Sequence, residues 1–102
     1  MDKQIEQKRE LLADLCRRYR VARLGVFGSV LRDDLDTDRS DLDFLVEFQP
    51  LPPGTYADTY FDLKEALERL FQRPIDLVVE SAIRNPFFLK SVQQTKHGLY
   101  AT

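Results

Sequence analysis

Asp41, Asp43 and Asp76 are the residues of this sequence whose types and spacing suit chemistry best, together with the pair Gly28-Ser29. Asp41 and Asp43 flank a single leucine in a stretch where Leu42, Phe44, Val46 and Phe48 alternate with other residues. Such alternation predicts a strand from Asp41 to Phe48 with one apolar face, and it puts both carboxylates on the opposite face. Two carboxylates held that close raise each other's pKa, a conflict that a divalent cation removes. Hard oxygen ligands with positions left for water and phosphate suit Mg²⁺. Gly28-Ser29 follows a short apolar run from Val21 to Phe27. A glycine at such a strand end lets backbone approach a phosphate closely, and successive N–H groups there cradle anions. Asp76 is a lone acid among Ile75, Leu77, Val78 and Val79, where a charge needs a reason. A neighbouring strand would bring it beside Asp41 and Asp43. Three carboxylates with a phosphate cradle describe a two-metal site for phosphoryl or nucleotidyl transfer.

Simpler readings exist for several acids. Asp34, Asp36 and Asp38 fit a solvated acidic loop. A calcium loop starting at Asp34 fails, because Arg39 stands where glycine is needed and Leu45 where a bidentate glutamate is needed. Asp76 has the alternative of pairing with Arg73 or Arg84.

The elements that must position these residues follow from periodicity. Ile5, Leu12, Leu15, Cys16 and Tyr19 predict an amphipathic helix from about Lys3 to Tyr19, with Cys16 a small core residue. Gly25 inside the first strand marks a close approach by another backbone or a ligand. The prolines of Gln49–Gly54 make a loop, and a helix follows from Thr55 to Gln72 with Tyr60, Leu63, Leu67, Leu70 and Phe71 on its apolar stripe. Ile75 to Glu80 predicts a third strand. Asn85-Pro86 caps a last helix carrying Phe87, Phe88, Leu89 and Val92, expected to stop before Gly98. The fold class is therefore α/β (α+β), a small mixed sheet of three or more strands with helices packed on it, in one domain over 1–102.

At 102 residues, with 43% hydrophobic and 31% charged, the composition is that of a globular protein. Fifteen basic against seventeen acidic residues give a net charge of -2, which argues against direct nucleic-acid binding. One cysteine and one histidine, Cys16 and His97, exclude an internal disulfide and a multi-cysteine or histidine-rich zinc site. No apolar run approaches the length of a membrane span and no signal-peptide core is present, so a cytoplasmic location is expected.

Gly28-Ser29-Val30-Leu31-Arg32, followed by Ser40-Asp41-Leu42-Asp43 on a strand, resembles the signature of the polymerase-β-like nucleotidyltransferases. Within that superfamily the chain is similar to the minimal nucleotidyltransferases, often the antitoxin halves of pairs whose toxin is a HEPN-domain ribonuclease. Two differences fall between cradle and acids: the spacer Val30–Ser40 is longer than is common, and Asp33 replaces a frequent glycine. The resemblance implies that Gly28 and Ser29 hold the triphosphate and that Asp41 and Asp43 ligate two Mg²⁺ ions. It further implies that Asp76 completes the acceptor-side metal site and helps deprotonate the attacking hydroxyl. Arg32 matches an arginine that contacts phosphate, with a structural ion pair as its alternative. The implied activity is transfer of AMP from ATP to a tyrosine of a HEPN toxin, in a hetero-oligomer, with the chain acting as antitoxin. Two other readings are a non-catalytic antitoxin that neutralises its partner by binding, and one subunit of a small-molecule nucleotidyltransferase.

Overall fold

The computed structural model describes residues 3–28 and 41–102. Within them the chain forms α1 (Lys3–Gln7), α2 (Arg9–Arg18), β1 (Val21–Val26), β2 (Leu42–Phe48), α3 (Tyr56–Phe71), β3 (Ile75–Val79), a 3₁₀ turn (Glu80–Ala82), α4 (Pro86–Thr95) and β4 (His97–Ala101). The strands make a mixed sheet in the order β3-β2-β1-β4. β1 runs antiparallel to both β2 and β4, while β2 and β3 are parallel. That last pairing requires a crossover, which α3 supplies.

The alternation in β2 works as expected on one face. Leu42, Phe44 and Val46 are buried with Leu24 and Val26 of β1 and Ile75 and Leu77 of β3. This face is covered by Ile5 of α1, Leu12 and Cys16 of α2, and Leu63, Leu67 and Phe71 of α3. The Phe44 and Phe71 rings meet with centroids 5.6 Å apart. Cys16 is fully buried, and burial pushes its thiol up to about 12, which makes it an inert core residue.

The other face is only partly covered. Leu45 is buried there with Phe27 and Val92, and Val78 and Ile83 pack against them. α4 thus roofs one part of the face on which the sequence placed Asp43, Leu45 and Glu47. Its start is fixed by Asn85, whose side chain accepts from the backbone N–H groups of Phe87 (2.9 Å) and Phe88 (3.1 Å), with Pro86 at the first helical position.

Two local departures from the sequence reading have physical causes. The predicted single first helix is two, separated at Lys8, whose backbone leaves helical geometry at φ -110°, ψ 20°. Lys8 Nζ reaches the Leu70 carbonyl at 2.6 Å, placing a cation at the C-terminal end of α3. The last helix ends at Thr95, before Gly98 as its sequence implies, but the residues after it are not a plain tail: His97–Ala101 forms a fourth strand. That strand depends on Gly25: a Cβ there would stand 2.8 Å from the His97 carbonyl oxygen. The close approach marked by Gly25 is therefore to backbone, at the point where the β1–β4 register shifts. Among the described residues, no helix is long and apolar enough to cross a membrane.

This contact makes a paired prediction. Gly25→Ala forces β4 away from β1 and lowers stability by about 1–3 kcal/mol in chemical denaturation. Gly98→Ala, where a Cβ meets nothing within 4 Å, costs at most a few tenths of that.

Candidate active site

The acids gather where β1 ends and β2 and β3 begin. Asp43 and Asp76 are register partners in the parallel β2–β3 pair. Their flanking residues Leu42, Phe44, Ile75 and Leu77 all enter the main core, so both carboxylates project from the opposite face as neighbours across one strand spacing. Asp41 immediately precedes β2 and is exposed. Asp43 is half-buried and Asp76 exposed, so the charge of Asp76 is not sunk in an apolar strand as its neighbours in sequence suggest.

Gly28 stands directly against this group. The Phe27 N–H donates to the Asp43 carbonyl at 3.2 Å, extending the β1–β2 ladder by one step. Gly28 then turns into the left-handed region at φ 72°, and a Cβ on it would lie 3.2 Å from Asp43 Oδ2. Only glycine takes that conformation without strain and leaves the space beside the carboxylate open. Phe27 is itself held from below: its ring packs edge-on against Phe88 at 6.0 Å and shares the cluster of Leu45 and Val92. The roof formed by α4 thereby sets the position of the glycine.

Burial raises the Asp43 carboxyl above its ordinary 3.8, and the charges of Asp76 and then Asp41 push it further in the same direction. All three acids therefore act on one locality. Among the described residues, no three acidic, histidine or cysteine side chains enclose an ion by themselves. Asp43 and Asp76, neighbours in register, and Asp41 just before β2 supply hard oxygen donors on this face, a kind that suits a cation keeping most of its waters.

Ser29 and Arg32, and the acidic stretch containing Asp34, Asp36 and Asp38, lie outside the described residues. Glu47, further along β2, is engaged elsewhere: its carboxylate accepts from the Ser81 backbone N–H (2.5 Å) and hydroxyl (3.2 Å). Arg73, one of two suggested partners for Asp76, is buried and donates to Gln4 Oε1 at 3.0 Å.

Tyr60, which the sequence places only on an apolar stripe, belongs to this neighbourhood. Its hydroxyl donates to the Leu77 carbonyl at 2.5 Å, next to Asp76. Burial and then the Asp76 charge raise its pKa. No spacing rule links a helix residue to the following strand in this way; only the α3–β3 packing reveals it.

The nucleotidyltransferase domain family matches residues 8–97. The chain belongs to this family. It is 36% identical over 72 residues to protein adenylyltransferase MntA of Thermococcus cleftensis, covering 71% of this chain and 69% of the relative. A solved structure of a candidate minimal nucleotidyltransferase superposes with a TM-score of 0.74 at 35% identity, covering 95% of both chains. The fold also matches, at TM-score 0.60 and 16% identity, a chain in the complex of the tri-AMPylated HEPN toxin of Shewanella oneidensis with its MNT antitoxin, covering 95% of this chain and 72% of that one. The resemblance to the minimal nucleotidyltransferases thus holds for family and fold.

A carboxyl held above its ordinary range is happier protonated in the folded chain than in the unfolded one. Asp43 therefore subtracts stability as pH rises from 3.8 through its raised value, and restores it on acidification. Asp43→Asn, which mimics the protonated form, is expected to raise the melting temperature by a few degrees at neutral pH without divalent cation. The gain shrinks as pH falls toward the carboxylate range. Thermal melts of both proteins across pH read this directly, and parallel curves would contradict the electrostatic account.

Proposed function

We propose that the chain is a Mg²⁺-dependent protein adenylyltransferase that moves AMP from ATP to a tyrosine hydroxyl of a HEPN-domain toxin and so silences it. The observation that carries this reading is the register pair Asp43 and Asp76, with Asp41 beside it and left-handed Gly28 against the Asp43 carboxylate. Membership of the nucleotidyltransferase family and the adenylyltransferase name of the MntA relative support the reaction class. The HEPN partner is suggested by the toxin that accompanies the Shewanella fold neighbour.

In this proposal Asp41 and Asp43 ligate two Mg²⁺ ions and Asp76 completes the acceptor-side position. Metal bound there would neutralise the clustered carboxylates and draw charge from the phosphate that is attacked. Gly28 and Ser29 seat the triphosphate, the open space at Gly28 admitting a phosphate oxygen where a Cβ would crowd the Asp43 carboxylate at 3.2 Å. Arg32 contacts phosphate from the same segment. The acceptor oxygen forms a bond to the α-phosphorus while the bond from that phosphorus to the bridging oxygen breaks. Pyrophosphate leaves, and the hydroxyl proton passes to the Asp76 carboxylate. The difference in exposure suits these roles: Asp43 is recessed, whereas Asp76 is open to a hydroxyl presented by another protein.

Intact-mass spectrometry of a HEPN toxin after incubation with the chain, ATP and Mg²⁺ tests the proposal. One or more AMP additions are expected, absent with EDTA and with the Asp41→Asn, Asp43→Asn double variant. Asp76→Asn is expected to lower kcat by roughly 10²-fold or more, as loss of a proton acceptor does. A toxin that is bound and silenced without any adduct would replace this reading with neutralisation by binding alone.

A further inference from the structure

A groove of about 600 Å³ runs along the outer edge of β3, between the start of α3 and the start of α4. β3 is an edge strand of the sheet. Val78 lines the groove and lies two residues from Asp76 on the same face of β3. The walls are Tyr56, Tyr60 and Phe61 from α3 and Ile83, Arg84 and Phe88 from the opposite side. Tyr56 (47%), Phe61 (57%) and Phe88 (42%) are unusually exposed for aromatic residues, and their gathering around one depression beside the acids marks a surface built to be covered. Arg84 is the one charged side chain among the described residues that line it.

We propose that this groove receives the segment of the partner protein that carries the acceptor hydroxyl, gripping a large apolar side chain near that residue. The inference rests on the adenylyltransferase reading above and names where its protein substrate lies. Continuity with the acids selects this occupant. An extended chain advances about 3.3 Å per residue, so a hydroxyl-bearing residue at Asp76 puts the residue two positions away over Val78. The segment is held through side chains rather than by extending the sheet there, because the Tyr60 hydroxyl already takes the Leu77 carbonyl. The apolar walls, with Arg84 at one side and the Asp76 carboxylate beyond Val78, favour a neutral apolar segment over a highly charged one. Buried aromatic anchors of this kind carry a large share of binding energy at interfaces.

Phe61→Ala is the sharpest test, because Phe61 is more than half exposed and its removal spares the core. Leu11→Ala, an equally exposed apolar residue on α2 away from the groove, is the control. The kinetics of AMP transfer to a HEPN toxin at saturating ATP, and the Kd of a non-hydrolysable ATP analogue, are measured for each. Phe61→Ala is expected to raise KM for the toxin by about tenfold while kcat and the nucleotide Kd stay within about twofold, and Leu11→Ala to leave all three unchanged. An unmoved KM would overturn the inference while the adenylyltransferase reading stands. A weakened nucleotide Kd would overturn it by giving the groove to the base of ATP. A shift in oligomeric state with KM unmoved would overturn it in favour of a second copy of this chain. Absence of any transfer by the unaltered protein would remove the underlying reading and this inference with it.

Discussion

The parallel register of β2 against β3, which sets Asp43 beside Asp76, is the constraint around which this small protein is arranged. That pairing makes the two carboxylates direct neighbours; burial raises the Asp43 carboxyl, and the charges of Asp76 and then Asp41 raise it further. The cost is carried by the apolar interactions that fix the register. A slip of one residue would turn Leu42, Phe44 and Val46 out of the core. The main core and the acid cluster are thus two faces of one register, and the stability of the first is what keeps the second assembled.

The second, smaller apolar cluster has a different task. Phe27, Leu45 and Val92 are buried on the acid-bearing face and hold the chain just before Gly28, whose left-handed turn brings backbone to the edge of the Asp43 carboxylate. α4 earns its position twice, as the roof over Leu45 and as one wall of the aromatic groove beside Asp76. At the far edge, β4 is admitted by the missing side chain of Gly25. Gly25 within β1 and Gly28 just beyond it therefore serve unrelated needs, one a close backbone contact and the other open space next to a charge.

Much of this was legible in the residues themselves. The alternation of Leu42, Phe44 and Val46 assigns β2 its two faces, Asn85-Pro86 marks the start of α4, and Cys16 sits on the apolar stripe of α2 where it is buried. The trio Asp41, Asp43 and Asp76 could be named because carboxylates in apolar strands are conspicuous. What escaped depends on contacts between distant elements. His97–Ala101 has a glycine in it and no alternation, and becomes a strand only because β1 offers Gly25 at the right place. Burial of Leu45 comes from α4 packing on a face that β2 alone leaves open, and the break at Lys8 accompanies the reach of its ammonium to the end of α3. The exposure of Asp76 and the groove beside it follow from β3 lying at the sheet edge, a property of strand order that no single segment encodes.

The central claim is that the acids and Gly28 form one nucleotide site that is incomplete without a divalent cation. Calorimetric titration of a non-hydrolysable ATP analogue into the chain, in excess Mg²⁺ and again in excess EDTA, tests it most directly. Saturable binding with Mg²⁺ that disappears with EDTA is the predicted result. Equal binding in the two conditions would contradict it, because a phosphate chain placed against uncompensated carboxylates would then be held by something other than these residues.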